Sequence, residues 1–177
     1  MEADFPVARR DVLRAAGVAA VGTLVGLAGC IDLDGLLSIP AVTFVNDTYG
    51  YSLRYPEAWT VDGADPATVV FASEAVDTSL VVNASAADGS SLAGRVAVAR
   101  ESLVTGGSRL LTDEATSLAS GQAAHVLDWE SETGEQYAAL LTGRDEVSFL
   151  LWYVRGSDPS LDDEAVWRTV SRSFAFS

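Results

Sequence analysis

Few residues in this sequence could carry catalytic chemistry. The chain has 177 residues but a single His, His125, and a single Cys, Cys30. A general base or a metal ligand needs partner groups at fixed positions, and we find none that the sequence fixes beside His125. The chain also lacks a Gly-x-Ser-x-Gly elbow and the glycine-rich phosphate-binding loops. We therefore predict no catalytic residues, no cofactor and no metal, and interpret His125 as a structural or surface residue.

Cys30 lies where the attachment of a lipid would require it. It directly follows Leu27-Ala28-Gly29, which end an uncharged, apolar run that begins at Ala15. The four residues resemble a lipobox, in which the Cys thiol receives a diacylglycerol and the Cys becomes the new N-terminus. The run is also shorter than the roughly 17–25 residues that span a bilayer. We predict that Cys30 is lipidated; the alternative is an uncleaved anchor that contains a buried free Cys.

The residues before the apolar run have the composition of an export signal. Arg9 and Arg10 are followed by Asp11, Val12 and Leu13, a pattern that resembles a twin-arginine signal, with Val12 at a position where Phe is usual. Because these cations precede the run, the N-terminus is expected to stay inside and the domain to lie outside. We predict a signal peptide over residues 1–29, a lipidated tether over 30–41 and a folded domain over 42–177. Residues 31–41 reach at most about 36 Å when fully extended.

The charge of the chain is strongly one-sided. It has 25 acidic residues and 11 basic ones, all of them Arg. Removal of residues 1–29 takes three of each, so 8 − 22 again gives −14. This balance argues against nucleic acid as a partner, because phosphate binding depends on clustered cations, and one Cys excludes a disulfide framework. Abundant carboxylates without Lys resemble the proteins of extreme halophiles and predict an archaeal source; an ordinary acidic secreted protein is the alternative.

The alternation of apolar and polar residues predicts mostly short strands and two helices. Ser90 or Ser91 is expected to cap a first helix that ends near Gly106-Gly107, and Pro159-Ser160 to begin a second. One strand, Val147–Val154, is apolar on both faces and should therefore be covered on both sides. The predicted strands are Val42–Val45, Tyr51–Tyr55, Thr60–Val61, Thr68–Ala72, Leu80–Ala84, Leu110–Leu118, Ala124–Ser131, Tyr137–Thr142 and Val147–Val154, the first two joined as a hairpin.

A longer motif resembles a known family. The aromatic-rich strand from Tyr49 runs into Tyr55-Pro56, with Trp59 three residues further on, and this is similar to the opening of PsbP-like domains, the superfamily of a photosystem extrinsic subunit and a Ran-binding import factor. The order of elements up to Ser177 is similar too. The resemblance implies an α+β fold, a three-layer α/β/α sandwich with an antiparallel sheet. It implies no catalytic set, and members of understood role are mostly accessory and binding proteins. Trp59 is interpreted as a core residue.

These observations predict a lipid-anchored, extracytoplasmic, non-catalytic binding or accessory protein of the cell envelope, with an envelope or membrane protein as its partner. The alternatives are a membrane-tethered hydrolase or metal-dependent enzyme, and a structural envelope component. A docking face should be a modest apolar or aromatic patch rimmed by carboxylates, because molar salt screens charges but strengthens apolar burial when salting-out ions are present. Asn46, placed in a surface turn, and Asn83 begin Asn-x-Ser/Thr sequences and are candidate glycan acceptors.

Overall fold

The computed structural model of the chain describes residues 40–73, 77–156 and 163–177. The predicted signal with Arg9 and Arg10, the lipidation residue Cys30 and nearly all of the tether lie outside the described residues. The predicted start of the second helix at Pro159-Ser160 lies outside them as well.

The described residues form ten strands and two helices. In chain order they are β1 (Ala41–Asn46), β2 (Tyr51–Pro56), β3 (Thr60–Asp65), β4 (Thr68–Ala72), β5 (Ser79–Ala86), α1 (Leu92–Thr105), β6 (Arg109–Ser117), β7 (Ala123–Glu130), β8 (Gln136–Arg144), β9 (Val147–Val154), α2 (Asp163–Ser173) and β10 (Ala175–Phe176). The predicted β1–β2 hairpin is confirmed, and its register pairs Phe44 with Leu53.

The strands form two antiparallel sheets. The larger sheet has the order β3-β4-β5-β9-β8-β7-β6, and the smaller has the order β1-β2-β10. Strand β9 therefore lies at the centre of the larger sheet, between β5 and β8. Its alternate residues pack into or against the two cores on opposite sides of the sheet, which suits the two-sided apolar sequence of this segment.

One face of the larger sheet packs against the smaller sheet and α2. Alternate residues of β4, β5 and β9 point into this core, among them Phe71, Val82 and Leu151, all fully buried. The smaller sheet supplies Tyr51, whose ring stacks on Phe174 at 5.3 Å. Trp59 belongs to the same core and stacks on Tyr153. The interpretation of Trp59 as a core residue is confirmed.

Helix α1 covers part of the opposite face. Ser91 is its N-cap, since its hydroxyl accepts the Gly94 N–H at 3.1 Å, and the helix ends before Gly106. Val96 packs on Leu127 and Trp129 in a second, smaller core. The larger sheet thus lies between α1 on one side and α2 with the smaller sheet on the other. The predicted α+β fold is confirmed, and these layers are roughly consistent with the expected sandwich.

Strand β3 is longer than the sequence indicated. A strand was predicted over Thr60–Val61 alone, but β3 continues to Asp65 and only the next two residues turn. A bulge explains the difference, because the register shifts between Asp62, which pairs with Val70, and Asp65, which pairs with Thr68. The extra residues at a bulge let a strand continue through a sequence that lacks strict alternation.

Candidate functional site

His125 is part of a charged cluster that joins three elements. Its Nε2 lies 2.7 Å from Oδ1 of Asp113 on the neighbouring strand β6, and the other oxygen of Asp113 lies 2.7 Å from Nη2 of Arg100 on α1. The His125 side chain is 15% exposed. A carboxylate can only accept hydrogen bonds, so Nε2 must carry the proton in this contact. The cluster therefore fastens α1 to the outer strands of the sheet.

The sequence analysis identified no partner for His125, and the structure places Asp113 beside it. A sequence signal did exist, because a hairpin that turns at Gly121 pairs Ala115 with His125 and places Asp113 diagonally beside it on the same face. The Arg100 guanidinium, followed by His125, lowers the pKa of the Asp113 carboxyl. The contact with Asp113 thus links the His125 ring on β7 to β6.

We expect Asp113→Asn to weaken the attachment of α1. The lowered pKa means that the Asp113 charge stabilises the fold above the usual carboxyl pKa, and that this stabilisation is lost as pH falls through the lowered value. Thermal unfolding of Asp113→Asn should start lower than wild type near neutral pH, and the difference should shrink in acid. Glu114→Gln is the matched control, since Glu114 is exposed on the same strand. Equal midpoints at neutral pH would contradict a fastening role.

A second charged cluster joins α2 to the sheet. Arg155 lies 3.1 Å from Glu164 on α2 and 3.5 Å from Asp128 on β7. Asp163 accepts a hydrogen bond from the Tyr153 hydroxyl at 2.9 Å, and burial, then this nearby carboxylate, raises the pKa of Tyr153. The carboxylates of Asp128 and Glu164 thus share Arg155 as their cationic partner. The arrangement serves packing between α2 and the sheet better than acid–base chemistry.

The described residues bring together no group of three or more His, Cys, Asp or Glu side chains that could hold a metal. None of the helices in the described part of the chain is long and apolar enough to cross a membrane.

The strongest candidate for a binding surface is the half of the larger sheet that α1 leaves open. Helix α1 packs mainly on β6, β7 and β8, and it is the one described helix on this side of the sheet. Beyond it, β4, β5 and β9 carry apolar, only partly buried residues on their outward side, with the polar Thr68, Ser79 and Asn83 between them. We name this surface the open sheet face; its residues are Val70, Val81, Trp152 and Val154, with Tyr137 of β8 beside them.

The register shows that these side chains are neighbours. Val81 pairs with Val70 on one side and with Trp152 on the other, while Val154 pairs with Tyr137. Paired residues in an antiparallel sheet project to the same side, so the five side chains form one patch. The Trp152 ring meets Trp129 edge-on at 5.0 Å and Tyr137 at 5.9 Å. The buried Trp129 thus fixes the orientation of Trp152 at the surface.

Trp152 differs from the other tryptophans of the chain. Trp59, Trp129 and Trp167 are all buried, whereas Trp152 is partly exposed. Contiguous exposed apolar patches on soluble proteins often mark interaction sites, and Trp is enriched among the residues that dominate binding energy. A docking face of this kind was expected from the sequence, but none of these residues was identified as part of it.

The rim of the open sheet face is acidic. Asp62 pairs with Val70 and Asp65 pairs with Thr68, so both acids stand on this side of the sheet. At the other end Glu135 accepts a hydrogen bond from the Tyr137 hydroxyl at 2.8 Å. Strands β3, β4, β5 and β9 contain no Arg. This matches the expectation of an apolar centre with a carboxylate rim.

Asn46 does not lie in a surface turn, which corrects the expectation from the sequence. It is the last residue of β1 and is 5% exposed. Its Nδ2 donates to the Pro66 carbonyl at 2.8 Å, and its Oδ1 accepts the Tyr49 N–H at 3.1 Å. Asn83 lies in β5 and donates to the Thr68 hydroxyl at 3.1 Å. Each amide nitrogen therefore donates a hydrogen bond within the folded domain.

We expect the folded, exported chain to carry no glycan on Asn46, as an intact-mass measurement would show. Asn46→Ala should instead lower the free energy of unfolding by about 1–3 kcal/mol, because it removes two partly buried hydrogen bonds to the backbone of Tyr49 and Pro66. Asp47→Asn is the control, since Asp47 is exposed in the adjacent turn. A mass increase that disappears in Asn46→Gln would contradict this prediction.

Comparison with known proteins identifies the fold. No protein-family model matches the chain. No curated protein matches its sequence significantly either. The solution structure of the cyanobacterial PsbP (CyanoP) from Synechocystis sp. PCC 6803 superposes with a TM-score of 0.62 at 18% identity, covering 86% of this chain and 99% of that one. The Ran-binding protein Mog1p of Saccharomyces cerevisiae superposes with a TM-score of 0.54 at 10% identity, covering 78% and 96%. The antiparallel sheets and two helices described above thus constitute a PsbP-like α+β fold.

Proposed function

We propose that this protein is a lipid-anchored, non-catalytic accessory protein of the cell envelope that docks onto an envelope or membrane protein through the open sheet face. The observation that carries the proposal is the patch around Val81 and Trp152, which is apolar, rigidly supported and partly exposed. Neighbouring apolar side chains that stay partly exposed on a soluble domain often mark a surface that another molecule covers.

The arrangement of titratable groups favours binding over catalysis. The Asp113 carboxylate, which could orient His125 as a base, is shared with Arg100, and the second carboxylate pair lies against Arg155. An active site usually separates its acid and base by giving them different environments. Here Asp113, Asp128 and Glu164 instead each lie against an Arg from another part of the fold. Such ion pairs hold neighbouring elements together.

The proposed location rests on the residues that precede the domain. Lipid on Cys30 and a tether of about 36 Å at most would hold the domain close to the extracytoplasmic membrane surface. A domain held there meets membrane proteins at high effective concentration. The net charge of −14 suits an environment of concentrated salt, and we propose a halophilic source on this basis.

The structural neighbours support a protein-binding role in one respect. Mog1p is by its name a Ran-binding protein, so a fold of this shape can serve to bind another protein. We propose for the present chain only that it binds another protein, without a claim about which one. An enzyme and a purely structural envelope component remain the alternatives that the following experiment tests.

The experiment compares two variants in the host. We expect Val70→Thr combined with Val81→Thr to abolish function and co-purification of a specific membrane protein, while His125→Ala leaves both intact. Thr keeps the branched shape that suits a strand but replaces a methyl group by a hydroxyl. Circular dichroism and melting curves verify that both variants fold. Loss of function in His125→Ala alone would favour the enzyme, and retention in both variants would favour a structural component.

A further inference from the structure

We propose that the segment bound by the open sheet face has apolar side chains at its centre and Arg or Lys at its flanks. This inference rests on the proposed docking function and adds the chemistry of the partner. The binding site would be the surface formed by Val70, Val81 and Trp152, bordered by the carboxylates of Asp62 and Asp65.

The centre of the site selects for apolar groups. Val70, Val81 and Trp152 lie side by side on three adjacent strands, and none of these strands carries a charged residue. A charged side chain placed against them would lose its hydration without gaining an oppositely charged partner on these strands. An apolar side chain would instead remove both its own surface and that of the strands from water.

The rim selects for cations. Strand β3 borders the patch, and its bulge directs two successive acids to the same side, because Asp62 pairs with Val70 and Asp65 with Thr68. Without the bulge, residues separated by three would project to opposite sides of the sheet. Both acids are exposed and each uses Oδ1 to hold a nearby backbone N–H. Strands β3, β4, β5 and β9 carry no Arg beside these two acids, so their carboxylates make this edge of the patch attractive to cations.

A second copy of this chain fits the site poorly. In an arrangement that stacks β3 of one chain on β3 of the other, two packed open sheet faces would bring Asp62 and Asp65 of both chains close together. Each chain also carries a net charge of −14, and like charges across an interface oppose association. A partner segment with guanidinium or ammonium groups would meet this rim with complementary charge.

The test uses two synthetic peptides with the same central Leu-Val-Leu-Val-Leu sequence, flanked at both ends by two Arg in one and two Glu in the other. Each is titrated into the full chain labelled with nitrogen-15, and the amide signals and the four Trp indole signals are followed. The indole signal of Trp152 is assigned by its absence from Trp152→Phe. We expect the Arg peptide to shift the signals of Val70, Val81 and Trp152, and the Glu peptide to bind at least about tenfold more weakly.

Two variants separate the apolar and charged contributions. Val70→Thr with Val81→Thr should weaken binding of the Arg peptide about tenfold, since two buried methyl groups are lost. Asp62→Asn with Asp65→Asn keeps the oxygens that hold the backbone but removes both charges, so it should weaken binding and flatten its dependence on salt. Asp47→Asn with Glu57→Gln is the matched control, because both residues are exposed in turns beside the smaller sheet.

Three results would overturn the inference. Equal binding of the two peptides would show that the rim does not select charge, and shifts outside the patch would show that the site is elsewhere. Shifts of the patch that depend on protein concentration without peptide would identify a second copy as the occupant. None of these results bears on whether the Val70→Thr, Val81→Thr double variant loses function in the host, so the docking function can survive the failure of this partner chemistry.

Discussion

Cys30→Ser is expected to remove the protein from the membrane. A diacylglycerol contributes two acyl chains, and each buried methylene adds about 0.8 kcal/mol, so two chains hold a protein stably where one holds it only marginally. Ser has the shape of Cys but a hydroxyl in place of the nucleophilic thiol. The variant should therefore either accumulate as an unprocessed precursor or appear in the medium, as fractionation and intact mass would show. Ser38→Ala is the control, since it alters the predicted tether without touching the thiol.

The outcome that contradicts lipidation is specific. If membrane retention and mature mass are both unchanged in Cys30→Ser, residues 15–29 are an uncleaved anchor. The export route is tested separately by Arg9→Lys with Arg10→Lys, which keeps both charges but should stop twin-arginine export. Continued appearance of the domain outside the cell in that variant would indicate the general export route.

The sequence was sufficient to predict most of the secondary structure, because most elements carry a local signal. The cap at Ser91 and Gly106-Gly107 define α1, and the two-sided apolar pattern of β9 indicated that both faces of the sheet are covered. The sheet is covered unevenly, however, and alternation cannot reveal this. Val81 and Val82 of β5 have the same residue type, yet Val82 is fully buried and Val81 is partly exposed, because α1 lies mainly over β6 to β8.

The candidate site depended on pairings that are distant in sequence. Asn46 is buried because Pro66, 20 residues away, accepts its amide N–H, and no local pattern in the hairpin indicates that contact. The acidic rim depends on the bulge in β3, which the sequence presents as an ordinary turn around Gly63. The Arg100–Asp113 pair requires that α1 cross the outer edge of the sheet. Sheet order and helix placement set these contacts, and neither is encoded in local periodicity.

The unfolding temperature is expected to rise steeply between dilute buffer and molar salt. The exported part carries 22 acids and 8 Arg, and 8 − 22 gives −14, so its charges repel one another more in the compact state than in the expanded one. Raising the salt from 0.1 M to 1 M shortens the screening length from about 10 Å to about 3 Å. Each kcal/mol of relieved repulsion raises the midpoint by about 2–4 °C in a chain of this size. We expect a total rise of at least about 10 °C, as measured by calorimetry.

Screening has to be distinguished from salting-out, which also stabilises proteins. A triple variant, Asp47→Asn, Glu114→Gln and Glu146→Gln, removes three exposed charges. It should melt higher than wild type in dilute buffer and close to wild type in molar potassium chloride. In molar salt the repulsion of these three charges in the wild type is screened, so their removal has little further effect. Sucrose is excluded from protein surfaces without screening charge, so it should raise both midpoints equally. A wild-type midpoint that stays flat between dilute buffer and molar salt would remove the argument for a halophilic source and leave only an acidic protein.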